Sequence, residues 1–138
     1  MSKPVITIEA AINSNIDKVW EMWTKPEHLT QWCFAADEWH CPSSVSDFKV
    51  GGTFSTRMEA KDGSFGFDFG GVYNEIKINE KLAITLDDGR KWNIYFSEIG
   101  GFVKIVEDFE AENENPIEMQ QAGWQMILNN FKKYVESN

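Results

Sequence analysis

Residues Trp32 to Cys41 read WCFAADEWHC, a ten-residue stretch holding two thiols, an imidazole, two carboxylates and two indoles. Two kinds of chemistry come to mind. Cys33, His40 and Cys41 could ligate a metal, with Asp37, His28 or water completing the set, or Cys41 could act as a nucleophile beside His40. The spacing argues against the first, because structural zinc sites draw on pairs two to four residues apart. Adjacent His40 and Cys41 would also point in different directions unless the loop twisted sharply. Against the second, no third orienting group or oxyanion-hole motif accompanies Cys41. No metal ligand, no cofactor and no catalytic residue is therefore assigned. The stretch reads instead as a loop held down at a pocket mouth by Trp32, Phe34, Trp39 and the cysteines, with Asp37 and Glu38 facing water.

A second group of polar residues lies further along. In TFSTRMEAKDG, Arg57 and Glu59 share one strand face, opposite Phe54 and Met58, and VEDFEA places Glu107 and Phe109 on a common face. Were Arg57 to face a cavity, burial would oblige it to find a carboxylate, Glu107 or Glu59, and the pair could orient a keto or carboxylate head group. Otherwise Arg57 and Glu59 form a solvent ladder. Tyr73 and Tyr95 offer hydroxyls that could bond a ligand carbonyl or serve as acids. Phe65, Phe67, Phe69 and Tyr73 share one face of the longest strand and Trp92, Ile94 and Phe96 one face of another. Bulky rings from the longest strand, together with Met119, Trp124 and Met126, are the supply of apolar wall for a pocket.

The elements that must position these side chains follow from periodicity. PVITIEAAI alternates as a strand. NSNIDKVWEMWTKP predicts a helix capped by Ser14, with Asp17 at its positive end and Ile16, Val19, Trp20 and Trp23 on one face. Pro26 and TKPEHLTQW predict a second helix of about two turns, with Thr24 and Glu27 at capping-box spacing. From Cys33 to Ser46 no period is visible, so an irregular loop is expected. DFKVGG then reads as the end of a short strand turned by the diglycine. TFSTRMEA, FGFDFGGVYNEIKI, KLAITL, KWNIYFSEI and FVKIVEDFEA read as an antiparallel meander joined by KDG, NE, DDGR and GG. Gly70 and Gly71 inside the longest strand predict a bulge or sharp bend. The last segment predicts a helix of about five turns, with Asn115 as N-cap, Pro116 in its first turn, Glu118 completing a capping box, and Trp124, Ile127, Leu128, Phe131 and Val135 on one face. Lys132 and Lys133 suit its negative pole. An antiparallel sheet with one apolar face needs a cover, and this helix is the only element large enough to supply it.

Bulk properties bound the function. The chain has 138 residues and a formal net charge of −9, from 13 basic and 22 acidic side chains, so its field repels phosphate backbones and nucleic acid is disfavoured as a partner. No apolar run is long enough for a membrane helix and the first residues lack a signal-peptide core, which makes a soluble cytoplasmic protein without membrane insertion the expectation. Two cysteines are too few for a disulfide framework. Six Trp, ten Phe and three Tyr exceed what a core of this size requires, and some of them are expected to line a cavity. Residues 1–138 are expected to form a single domain.

VWEMWTKPEHLTQW, then DFKVGGTF, FGGVYNEI and GWQMILNNFKKYV, in that order, resemble the START-like superfamily, also called SRPBCC. The similarity is greatest to the branch named for the activator of the ninety-kilodalton heat-shock ATPase, whose bacterial members are often labelled polyketide-cyclase-like. It runs from about Val5 to Val135 and rests on Val19-Trp20, Trp23-Thr24, Gly51-Gly52, Gly71 and Gly123-Trp124. The resemblance implies an α+β helix-grip fold: a curved antiparallel sheet of about six to seven strands around a long C-terminal helix, with two short helices after the first strand. It also implies a hydrophobic cavity between sheet and terminal helix, but no particular reaction. Binding of a small hydrophobic or amphipathic molecule there, without catalysis, is the leading expectation. The ligand-binding residues expected are Trp23, Trp32, Phe34, Trp39, Arg57, Phe67, Phe69, Tyr73, Glu107, Phe109, Met119 and Trp124. The alternatives are a cyclase or hydro-lyase acting on a polyketide-like substrate, with Arg57, Glu107 or Tyr73 in acid–base work, and a protein-binding module that modulates a chaperone. The last is the weaker expectation, since the chain leaves no room for the separate N-terminal domain of eukaryotic activators.

Overall fold

Side chains that alternate in polarity fall on opposite faces of a strand, and seven segments of this chain use that rule to build one sheet. A computed structural model describes residues 4–34 and 37–138. The strands are β1 (Val5–Ile12), β2 (Trp39–Ser46), β3 (Thr53–Ala60), β4 (Gly66–Lys77), β5 (Lys81–Leu86), β6 (Lys91–Ile99) and β7 (Phe102–Glu110). Helices α1 (Ile16–Thr24) and α2 (Pro26–Leu29) follow β1, and α3 (Ile117–Glu136) ends the chain. All neighbours pair antiparallel in the order β1-β7-β6-β5-β4-β3-β2, so β2 to β7 form a meander and β1 joins its far end. The sheet curls into a half-barrel that grips α3.

Inside the curl, Ile6, Ile8 and Ile12 of β1, Ile94 and Phe96 of β6, and Val103, Ile105 and Phe109 of β7 meet Leu128, Phe131 and Val135 of α3 in one buried core. Phe131 is fully buried against Trp23 of α1 and Trp32, with ring centroids 4.8 Å and 4.7 Å away. Helix α3 also shields the outer edge of β1: Gln121 and Gln125 donate to the carbonyls of Thr7 and Glu9, and Lys132 to that of Ala11 at 2.7 Å. An unpaired strand edge is a liability, and here a helix face satisfies it. Lys132 thus bonds the sheet as well as suiting the helix pole.

The local signals hold in kind and shift in detail. Asn15, not Ser14, caps α1, accepting from the Lys18 backbone N–H at 2.9 Å. Helix α2 is a single turn whose N-cap is Lys25, with no side-chain cap, and the Thr24 hydroxyl donates to the Trp20 carbonyl. Pro116, not Asn115, precedes α3 without a side-chain cap, and the expected capping box does not form. The loop before α3 is fastened by Gln120, whose amide donates to the carbonyls of Asn115 (2.8 Å) and Glu112 (3.2 Å) and accepts from the Glu112 N–H (2.9 Å).

Two expectations for the chain's middle are corrected. Residues 39–46, expected as loop, form the edge strand β2, whose register slips between His40 and Ser43 around Pro42. A proline and a bulge are tolerated only on an edge, and they erase the alternation that would have marked the strand. DFKVGG, expected as a strand end, is a turn in which Gly52 donates to the Lys49 carbonyl and Gly51 to that of Tyr73. In β4 the register shift falls between Tyr73 and Glu75, past the diglycine. Gly70 and Gly71 instead permit close approach, as a Cβ on Gly71 would lie 2.5 Å from the Thr85 carbonyl oxygen. Ala35 and Ala36 of the opening motif lie outside the described residues. Among those described, no helix is long and apolar enough to cross a membrane.

Candidate functional site

Between the concave face and α3 the side chains do not meet everywhere, and a cavity of about 280 Å³ remains. Its walls come from alternate inward residues: Phe54, Thr56 and Met58 of β3, Phe67 and Phe69 of β4, Trp92 of β6 and Glu107 of β7. Gln120, Trp124 and Ile127 of α3 lie across them, with Trp23, Leu29, Trp32 and Cys33 from the α1–α2 region. Arg90, Glu112 and Asn115 are lining residues that also reach solvent.

Trp124 organises the α3 wall. Its ring stacks on Phe109 at 3.8 Å and 12° and stands edge-on to Trp92 at 5.2 Å and to Phe69 at 5.9 Å. These separations are those of rings in mutual contact, so the aromatics form a continuous wall.

Three polar side chains are buried among the described residues: Thr56, Gln120 and Glu107. The Thr56 hydroxyl bonds Ser44 Oγ at 3.0 Å and Gln120 is committed to the loop before α3. Glu107 is 3% exposed and accepts one hydrogen bond, from Trp92 Nε1 to Oε1 at 2.9 Å. Its directly paired neighbours are Ile8 and Ile94. Burial pushes its carboxyl up to about 8, against the opposing effect of the Trp92 N–H. A carboxyl in that range is largely neutral at neutral pH.

The thiols are of another kind. Burial pushes Cys33 far up, with nearby Cys41 and Glu107 adding to the effect, and pushes Cys41 to about 11 against a backbone hydrogen bond from Ser43. Neither is a ready thiolate, which weighs against a nucleophile. His40 points away from them, its Nε2 3.9 Å from Glu59 Oε1. Among the described residues no group of three or more His, Cys, Asp or Glu is arranged to hold a metal ion.

Of the expected ligand-binding residues, Trp23, Trp32, Phe67, Phe69, Glu107 and Trp124 line the cavity. The others do not. Arg57 lies on the outer face of β3, pairing with Glu59 at 2.8 Å and Asp68 at 3.5 Å rather than with Glu107. Met119 is 62% exposed on the far side of α3, and Phe109 is spent on stacking Trp124. Tyr73 is buried with Phe48 and Phe54, its hydroxyl 3.2 Å from Ser46 Oγ. Phe34 packs half-buried against the core and Trp39 stands edge-on to Phe65. Trp32 serves the core as well as the cavity, its indole N–H donating to the Met22 carbonyl at 3.0 Å. The expected ligand-binding set omitted Thr56, Met58, Arg90, Trp92 and Gln120, which also line the cavity. The period-two pattern of β3 and β6 held the signal for three of them, once the inward face was known, and Gln120 lies one helical turn before Trp124.

A curled sheet gripping a C-terminal helix over an internal cavity defines the helix-grip class. The chain belongs to the family described as Activator of Hsp90 ATPase homolog 1-like protein, whose sequence profile matches residues 13–136. It is similar to an AHSA1-like protein from Aeromonas hydrophila, at 42% identity and a TM-score of 0.92 over 97% of this chain and 93% of that one. A protein from Cytophaga hutchinsonii is 51% identical, with a TM-score of 0.83 over 96% of this chain and 92% of that one. A protein from Chromobacterium violaceum, 21% identical, shares the fold at a TM-score of 0.87 over 98% of this chain and 99% of that one. No curated protein matches the chain.

Proposed function

We propose that this protein binds a small hydrophobic or amphipathic molecule in the cavity between its sheet and α3. The observation that carries this reading is the cavity itself: about 280 Å³ walled by indole, phenyl, thioether and aliphatic groups, near the lower end of the usual range for ligand pockets. A core serving stability alone closes such space, because unfilled volume forfeits dispersion contacts. Phe67, 40% exposed at the cavity wall, and the solvent-reaching Arg90 would meet the more polar end of an amphipathic guest. Native mass spectrometry of protein purified from its source tests the reading. A co-purifying small molecule, displaced when Trp124 is changed to Ala, supports it; protein that is empty and ignores a panel of lipids and aromatics overturns it.

An enzyme of cyclase or hydro-lyase type is the second reading, supported by Glu107, a carboxyl near 8 facing an apolar cavity as a general acid would be. Among the described lining residues Thr56 and Gln120 are bonded within the protein and burial keeps the Cys33 thiol protonated, so no second buried group is set to act as base and the binding reading stands ahead. Modulation of a chaperone ATPase, which the family's description names, would need a contiguous apolar surface. The exposed Val5, Val45, Ile99 and Met119 instead lie on four different elements and Val50 and Ile78 in two turns, and the exposed rings that do cluster, Phe65 and Phe67, form only a small patch with Trp39. A cytoplasmic location fits a protein of this charge and cysteine usage and belongs to the proposal.

A further inference from the structure

Beyond accepting from Trp92, Glu107 has no bonded partner among the described residues. Its Oε1 is occupied by Trp92 Nε1, its paired neighbours Ile8 and Ile94 are apolar, and no Lys, Arg or His is bonded to it. The remaining oxygen, Oε2, has no hydrogen-bond partner among the described residues, yet it is not among the buried polar atoms left unsatisfied, so it keeps accessible surface, and the cavity is what Glu107 lines. The other buried polar groups of the wall, Thr56 and Gln120, are bonded within the protein.

We propose that Glu107 is the ligand anchor, a neutral carboxyl whose hydroxyl donates a hydrogen bond to an oxygen acceptor, such as a ketone, ester or amide carbonyl, carried by an otherwise apolar guest. The inference rests on the binding reading above and narrows it to a ligand class. In this geometry Trp92 orients the group: an indole N–H can only donate, so it claims the carbonyl oxygen of the neutral acid and leaves the O–H pointing into the cavity. A protonated carboxylic acid held in an apolar site is a known form of hydrogen-bond donor. A cationic guest is disfavoured because the rings Phe69, Trp92 and Trp124 contact one another, leaving no cage between them for an ammonium group.

Ionisation of Glu107 would replace the donor by an anion that repels a carbonyl oxygen, so affinity is present below its titration near 8 and is lost above it. The titratable groups sharing the cavity are Cys33 from the α2 side, with Cys41 behind it, and Arg90 and Glu112 from the loops flanking β6 and β7. The two thiols titrate well above Glu107, and Arg90 is held by Asp88 at 2.7 Å and by the Glu110 carbonyl. The faces of β1 and α3 turned toward Glu107 bring only Ile8, Gln120, Trp124 and Ile127.

Three matched probes test this on the full chain: acetylnaphthalene, ethylnaphthalene and naphthylmethylamine, titrated by calorimetry about two pH units either side of the Glu107 midpoint. The expected result is a roughly tenfold preference for the ketone over the ethyl compound at the lower pH that disappears at the higher one. Glu107→Gln keeps an N–H donor that cannot ionise, and is expected to retain the preference at both pH values. Equal binding of ketone and ethyl compound at both pH values overturns the anchor while leaving the cavity reading intact. Tighter binding of the amine overturns it in favour of a carboxylate site for cations. Failure of all three probes to bind overturns both readings together. The wild-type pH profile needs no variant, so a poorly folded Glu107→Gln protein would not spare the proposal.

Discussion

Trp92 on β6 and Glu107 on β7 are diagonal neighbours across the sheet, joined by an indole N–H to carboxyl hydrogen bond of 2.9 Å. Each needs the other: the buried carboxyl receives its one protein donor, and the buried indole receives its acceptor. The ring of Trp92 then meets Trp124 of α3, so this pair couples the acid to the packing of the helix.

Trp92→Phe keeps most of the ring and removes the donor. A buried acceptor left without its partner costs about 1–3 kcal/mol, to be read from urea denaturation at fixed pH. Because the Trp92 bond holds the Glu107 midpoint down, the variant should also titrate at a higher pH, followed through the Glu107 carboxyl carbon by NMR. An unchanged midpoint would show that the bond does not matter to the acid.

Stability should fall with rising pH because of this one group. The folded-state midpoint near 8 lies above the reference value of 4.5, so between these values the folded protein holds a proton that the unfolded chain has lost, and the slope is negative. The loss begins above the unfolded value and is complete once pH passes the folded one. Glu107→Gln should therefore match the wild type near the lower limit and exceed it above the upper one by at most on the order of 5 kcal/mol. Parallel stability curves for the two proteins would contradict this.

Two glycines should respond in opposite directions to alanine. At Gly71 the new Cβ would lie 2.5 Å from the Thr85 carbonyl oxygen and 3.1 Å from Leu86 Cα, both backbone atoms, and a loss of about 1–3 kcal/mol is expected. At Gly123 in α3 nothing lies within 4 Å, and Gly123→Ala should gain roughly 1 kcal/mol of helix propensity. Thermal denaturation of both variants decides, and a shift of the same sign in both would refute the contrast.

Cys33 and Cys41 should resist iodoacetamide in the native state and react freely in denaturant. Both are buried, and burial raises both thiols well above the ordinary thiol range. Mass spectrometry after timed labelling gives the answer; rapid native labelling of Cys33 would mean that the cavity admits the reagent.

Arg57→Met should change stability by no more than about 0.5–1 kcal/mol and leave cavity binding intact. Its partners Glu59 and Asp68 are on the outer face, with the Arg57 side chain 35% exposed. A large loss of ligand affinity would place the side chain nearer the cavity than its pairing with Glu59 and Asp68 allows.

Much of the fold was legible because period and punctuation are local properties. KLAITL, KWNIYFSEI and FVKIVEDFEA alternate cleanly, and Gly63, Asn79, Gly89 and Gly101 adopt the positive φ that their hairpin turns require. β2 was not legible, since Pro42 and the slip after His40 break the alternation, and only pairing with β3 makes it a strand. Six of the cavity's lining residues were readable, most of them aromatics such as Phe67, Phe69 and Trp124. Arg57 misled because a strand pattern gives two faces without saying which is concave.

By itself, then, the sequence determined the order of elements apart from β2, the meander from β3 to β7, the amphipathic terminal helix and the chemical character of those strands' faces, all consequences of side-chain spacing along a few residues. Tertiary structure alone decided which face curls inward, that Arg57 meets Asp68 and Glu59, and that Glu107 is left facing an apolar cavity with only Trp92 as partner. Those outcomes depend on the direction of sheet curvature and on distances between segments far apart in the chain. The protonation of Glu107 follows from the desolvation that closure around it imposes, which no stretch of residues around position 107 encodes on its own.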